Sequence, residues 1–348
     1  MKRQKHNFYF FVLGLVLIFT VVLSATVGSA SLSMGESFRI IMSRIPLLKK
    51  LISLDDIKAN FETIVWTIRV PRILLAGLSG ASLALVGTCF QGLFRNPLAD
   101  PQMIGVSSGA ALGATIAVLS GISISFVGLG AIGIFAFLGA VITVFLVYNI
   151  SCYGNQAPAI YIILTGIAFS SILTAIISFL MSIRREQLEK IYMWTLGSFS
   201  GATMTKVGFL ATFLLVCGMV ILCFAKDLDL ILLGEDAAQS LGVDTAKVKK
   251  LLIVISSVLV AACVSVCGTI GFVGLIIPHT MRLLCGPKHS RLIPLATVSG
   301  AIFLIWCDTI ARTVRSPGEL PVGVVTALCG GPYFIYLLIR AKRKGGII

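Results

Sequence analysis

Arginines at both mouths of a charge-free run are the arrangement in this chain best suited to chemistry. Arg69 and Arg72 of RVPR stand before Ile73 to Phe94, 22 residues without a charged side chain, and Arg95 opens the RNPLADP segment behind them. At about 1.5 Å per residue, a helix of that length crosses a hydrocarbon core of about 30 Å. A guanidinium at such a boundary lays its stem along apolar surface and offers forked donors to a carboxylate or phosphate. Arg312 sits near the end of a later apolar run, where Asp308, four residues earlier, can orient it along one helix face. The same end holds Arg184, Arg185 and Arg315, so an acidic soluble partner would find complementary charge there. Anionic lipid headgroups would be met by the same side chains.

The second candidate is LILLGEDAAQSLGVDTAKVKK, residues 230–250. Gly234 and Gly242 bracket a short amphipathic helix outside the membrane, with Ala237, Ala238 and Leu241 on one small apolar face and Glu235, Asp236 and Gln239 in water. Such a face suits insertion into another protein's cleft, although a loop helix resting on the membrane has the same pattern. The third is RNPLADP itself. Pro97 and Pro101 remove backbone donors and push the residues before them out of helical geometry, so this irregular backbone must face protein or water.

The elements that must hold these groups are membrane spans. The chain has 348 residues, 57% hydrophobic and only 12% charged, with a mean hydropathy of +1.01, which excludes a soluble core. Charge-free runs at 8–28, 73–94, 101–183, 207–225, 251–278, 292–307 and 320–339 set the crossings, and 101–183 must cross three times. Residues 251–286, with Gly268, Gly271 and Gly274 in the middle, form one span or two short ones. Both termini are basic and are expected in the cytoplasm, which requires an even number and so ten spans. The first run, 8–28, exceeds a signal-peptide core and is read as a retained span. The expectation is an all-α, polytopic integral membrane protein forming a single domain over 1–348. RREQLEKIYMWTLGSFSGAT, 184–203, has the pattern of an interfacial helix.

An offset of 181 residues superposes Gly87 on Gly268, Pro97 on Pro278 and Gly105 on Gly286, as an inverted repeat would, although Gly is abundant enough to match by coincidence. Gly105, Gly109 and Gly113, and Gly77, Gly80, Ala84 and Gly87, form small-residue faces for close helix packing. The nine cysteines show no CxxC pair and read as packing residues, and His279 has no second ligand spaced for a metal. No catalytic or metal-ligating set emerges. An ion-coupled secondary transporter, the alternative reading, would need ionisable groups at mid-membrane, and an intramembrane enzyme a catalytic pair there.

RVPR, RNPLADP followed by GVSSGA, GEDAAQSLGV, GFVGLIIPHTMRLL and ELPVGVVTALCGGPYFIYLL occur in that order over residues 65–340. Together they resemble the FecCD-type permease subunit of ABC importers for iron-siderophores, haem and cobalamin. The resemblance implies a homodimer, or a pair with a related permease, of ten-span subunits in a bacterial inner membrane. Two cytoplasmic ATPase subunits would hold the ATP and Mg, and an extracytoplasmic binding protein would deliver the substrate, with ferric siderophore the commonest in the family. It implies no nucleic-acid partner, no cofactor on this chain and no enzymatic activity of its own, and the chain carries no GxxxxGK[ST] loop. By the same resemblance, Gly234, Glu235, Ala237, Ala238, Leu241 and Gly242 belong to the coupling segment, 230–245, seated on the ATPase. Arg69, Arg72 and Arg312 dock glutamates of the binding protein, and Asn96, Pro97 and Leu98 contribute to the cytoplasmic gate, with a further gate element near Asn155 to Ala159.

Overall fold

Helix α4, Val70–Leu93, is the axis around which the other helices pack, with nearly every residue from Pro71 onward buried. It is apolar around its whole circumference, as a helix enclosed by other helices must be. The computed structural model describes residues 2–27, 33–43, 59–152, 158–315 and 318–343. In chain order the helices are α1 Lys2–Thr26, α2 Met34–Met42, α3 Ala59–Thr63, α4, α5 Val106–Ser120, α6 Ala131–Ser151, α7 Ala159–Ile183, α8 Leu188–Thr195, α9 Met204–Cys223, α10 Ala225–Ile231, α11 Glu235–Ser240, α12 Thr245–Cys267, α13 Val273–Cys285, α14 His289–Thr313 and α15 Val322–Arg343. Two short strands, β1 Ser125–Phe126 and β2 Leu129–Gly130, pair as a hairpin between α5 and α6.

Eight of the helical stretches are long and apolar enough to cross a membrane, and α5 and α13 are shorter apolar helices of 15 and 13 residues. The ten-span expectation therefore corresponds to ten apolar helices among the described residues, two of them too short for a full crossing of about 30 Å. The open question over 251–286 resolves into α12 and α13, separated by an irregular break at 268–272. The stretch 101–183 does supply three helices, although the first, α5, starts inside the bundle.

RVPR lies within a helix instead of in front of one. A π-helical turn, Ile64–Arg69, joins α3 to α4, so helical backbone runs without interruption from Asn60 to Leu93. Pro71 does not break it, because it occupies the first turn of α4, where the wider hydrogen-bond spacing behind it leaves room for a residue without an N–H.

Helix α14 lies antiparallel on α4. Arg72 meets Asp308, Gly80 meets Gly300 and Gly92 meets His289. A methyl group on Gly80 would collide with the Gly300 carbonyl, so this pair touches backbone to backbone. Gly109 and Gly113 of α5 approach Gly139 and Phe135 of α6 in the same way. The small-residue faces read from the sequence are thus helix contacts. The 181-residue offset does not pair like with like: Pro97 stands in a turn, whereas Pro278 lies inside α13.

Helices α1, α7, α9 and α15 form the exterior, with Phe19, Phe179, Leu215 and Ile335 among their exposed apolar side chains.

Candidate functional site

At one end of the α4–α14 pair the three sequence-selected arginines converge, but inward. Arg69, Arg72 and Arg312 are only 4%, 6% and 8% exposed. Arg72 forks onto Asp308, with Nη2 donating to Oδ1 at 2.8 Å and Nε within 3.0 Å of both carboxylate oxygens, and its Nη1 donates to Glu319 Oε1 at 2.7 Å. Asp308 is buried, while the Glu319 side chain keeps 40% of its exposure.

Arg69 Nη1 donates to the Ala25 and Thr26 carbonyls at 2.5 and 3.1 Å. Arg312 Nη2 donates to the Ser24 carbonyl and, at 2.7 Å, to Ser24 Oγ. These carbonyls belong to the last turn of α1, which has no intrahelical partners for them and carries the negative end of the helix dipole. Two arginines therefore cap α1 and bind it to α4 and α14.

Arg69, Arg72 and Arg312 each find internal acceptors that offset the cost of burying a guanidinium. Asp308 does lie within 3.9 Å of Arg312 Nε, the local ion pair expected from their spacing, but its closer bonds go to Arg72, 236 positions away in sequence. Arg184, Arg185 and Arg315 are exposed.

Midway along the bundle, α5 and α13 begin at broken backbone. RNPLADP turns back into the protein after α4. Arg95 takes a left-handed φ of 50°, Asn96 Oδ1 accepts from the Leu98 amide at 2.8 Å, and Asp100 caps the following 3-10 turn through the Gln102 amide. Asn96, Pro97 and Leu98 are half-buried. Gln102 Nε2 then donates to the Ile270 carbonyl at 2.6 Å, and Gln91 Nε2 to the Leu275 carbonyl at 3.0 Å. The Gln102 amide thereby satisfies a carbonyl of the break before α13, as non-helical backbone at membrane depth requires, while Gln91 reaches the first turn of α13 itself. Phe272 holds φ at +70° in that break, packed against Gly330 of α15. A bulky residue in that region costs about 1–3 kcal/mol and persists only where packing imposes it. Of the further gate element expected near Asn155 to Ala159, residues 155–157 lie outside the described residues.

At the opposite end from the arginines, the short helix expected between Gly234 and Gly242 is α11, and α10 precedes it. Gly234, at φ +121°, makes the break between them and lies beside the Arg95 guanidinium. This places the 230–245 segment next to RNPLADP. The proposed small face is divided: Ala237 and Leu241 are exposed, as are Asp236 and Gly242, but Ala238 is fully buried. Neighbouring residues lie about 100° apart around a helix, so the anchored side of the connector takes Ala238 and leaves Ala237 outside. Glu235 forms an ion pair with Lys249 on α12, and Gln239 Nε2 bonds Thr245 Oγ1 at 2.9 Å.

Asp229 of α10 and His289 of α14 escaped the sequence reading. Asp229 Oδ1 accepts from the His289 amide at 2.7 Å and meets its ring Nδ1 at 2.8 Å, so α10 caps α14. Burial alone would raise the Asp229 pKa, but the two His289 hydrogen bonds and the charges of His289 and Lys288 outweigh it and hold the carboxyl below its usual range. A depressed carboxyl stabilises the fold above its unfolded pKa of about 3.9, and that contribution disappears as pH falls through the folded value. The thermal midpoint of the wild type is accordingly expected to drop below about pH 4 more steeply than that of Asp229→Asn. Identical pH profiles would refute this linkage. A 60-residue separation and an ordinary Asp-Leu-Asp setting gave no local signal for the pair.

Comparison with known proteins places this architecture. The profile of the FecCD transport family matches residues 16–340. A cobalamin import system permease protein, BtuC, of Halobacterium salinarum is 42% identical over 80% of this chain and 73% of its own length. A molybdate import system permease protein, MolB, of Haemophilus influenzae is 37% identical over 99% of both chains, and a hemin transport system permease protein, HmuU, of Yersinia pestis is 36% identical over 95% and 96%. A solved structure of a metal-chelate type ABC transporter in an inward-facing conformation superposes with a TM-score of 0.81 at 35% identity, covering 95% of this chain and 98% of that one.

Proposed function

Because the chain belongs to the FecCD transport family and is a permease of an ABC importer, we propose that it passes an iron chelate, a ferric siderophore in first place and haem or cobalamin next, into the cytoplasm. The observation that carries this reading is the exposed Ala237 and Leu241 beside Gly234 and Arg95: a low-bulk surface set directly against the broken end of the central helix. Gly234, Glu235, Ala237, Ala238, Leu241 and Gly242 form the coupling element for a cytoplasmic ATPase, and Asn96, Pro97 and Leu98 the neighbouring gate. The connector then biases the gate by favouring one of two arrangements of the bundle.

Two copies of the chain, with apolar faces such as that of α7 in contact with each other or with lipid, enclose the pathway between them. ATP and Mg belong to the partner subunits. The arginine end faces outward and both termini lie in the cytoplasm. A binding protein docks there by charge exchange: its carboxylates take the place of the half-exposed Glu319 on Arg72, with Arg69 and Arg312 behind it. Ferric-siderophore uptake into vesicles holding the chain, its ATPase and its binding protein tests the reading. Uptake should require internal ATP and all three components. Uptake driven by an ion gradient without ATP would instead support a secondary transporter.

A further inference from the structure

The arginine end of the bundle also holds a cavity of about 600 Å³ that the transport reading leaves unused, bounded by the α5–α6 hairpin, α8, the start of α9 and the end of α12. Its size falls in the range of about 300–1,000 Å³ typical of small-ligand pockets. Two lysines from different elements, Lys190 of α8 and Lys206 of α9, reach into it, and none of its lining residues is acidic. Lys206 Nζ donates to the Gly201 carbonyl at 2.6 Å, which fixes the ammonium at the cavity wall and leaves two further donors.

The opposite wall is the first turn of α6, where Ala131, Ile132 and Gly133 line the cavity and Gly130 supplies no side-chain cap. First-turn N–H groups have no intrahelical partner, and the 21-residue helix behind them adds a positive dipole end. Ser198 and Ser200 contribute hydroxyls. Two ammonium groups, uncapped amides and hydroxyls, without a carboxylate, form a receptor for a polyoxygen anion.

We propose that this cavity binds a phosphate-bearing anion, met in the membrane as the headgroup of an anionic phospholipid. The rim argues for the lipid source. Ile122 and Ile124 line the mouth, and Phe126 at the tip of the hairpin is 72% exposed beside an exposed Val127. Trp194, also on the wall, is a residue type favoured at headgroup depth. The phosphate would enter between the lysines while the acyl chains lie along this apolar rim. The site would then couple helices α6, α8 and α9 to the surrounding leaflet.

The test uses the purified full chain in phosphatidylcholine bilayers, with phosphatidylglycerol added or with inorganic phosphate added instead, and reads the thermal midpoint. Phosphatidylglycerol is expected to raise the midpoint of the wild type by several degrees, and that of Lys190→Gln/Lys206→Gln by less than half as much. Lys190→Arg/Lys206→Arg should retain the shift. Lys226→Gln/Lys250→Gln, which removes the same charge from the opposite end, should show it in full. Inorganic phosphate reproducing the shift would keep the anion site and assign it to a soluble source. Equal shifts in the wild type and the Lys190/Lys206 variant, no shift in either, or an equal loss in the Lys226/Lys250 variant would overturn the proposal.

Discussion

Asp308→Ala should lower the stability of the folded chain by about 3–5 kcal/mol, the cost of leaving a buried ion pair without one partner. Arg72 would keep only Glu319, and Arg312 would lose its nearest carboxylate while both guanidinium groups stay enclosed. The measurement is thermal unfolding of the purified chain in detergent. Replacing both partners, as Arg72→Met/Asp308→Leu, should cost less than Asp308→Ala alone, because it removes the stranded charge along with the bond. An Asp308→Ala midpoint indistinguishable from wild type would mean that water reaches the cluster and that the arginines are not held as the geometry indicates.

The second large effect is expected at Ala237. Ala237→Trp should reduce ATP-driven uptake by about 5- to 150-fold, the span of a 1–3 kcal/mol coupling free energy, with no change in the thermal midpoint. Ala238→Trp should act differently. Its Cβ is fully enclosed, so bulk there overpacks the core at a cost of about 1–3 kcal/mol and lowers the midpoint. The two neighbours thereby separate contact with a partner from support of the fold. Full uptake by Ala237→Trp would remove α11 from the coupling role.

The contrast between these alanines shows where sequence reasoning reaches its limit. Periodicity grouped Ala237 with Ala238, because a helix wheel records angle but not which side the anchoring residues hold; Lys249 and Thr245 decide that from another helix. The long spans were legible, since a helix without charge over a membrane's thickness has little to gain from water and much from hydrocarbon. Helices α5 and α13 were less so. The prolines of RNPLADP and the glycines of 268–274 marked the breaks before Val106 and Val273, but composition says nothing of the depth at which an apolar segment starts, and that depth shows only where Gln102 reaches the Ile270 carbonyl. Arg69, Arg72 and Arg312, chosen together from the sequence, converge at one end of the bundle. Their burial was hidden because the acceptors come from the far ends of the chain: the end of α1 and the stretch from Asp308 to Glu319.

The backbone contact of Gly80 with Gly300 makes the α4–α14 pair a lever with its fulcrum off centre. No side chain separates the two rods there, so a change in their crossing angle pivots at that point. Arg72 lies eight residues to one side and Gly92 twelve to the other, arms of about 12 and 18 Å at 1.5 Å per residue. A 10° scissoring would shift the arginine end by about 2 Å and the end bearing His289 by about 3 Å, in opposite senses. A small push at the arginine mouth would therefore reach the connector amplified by about half, without any helix bending or unwinding.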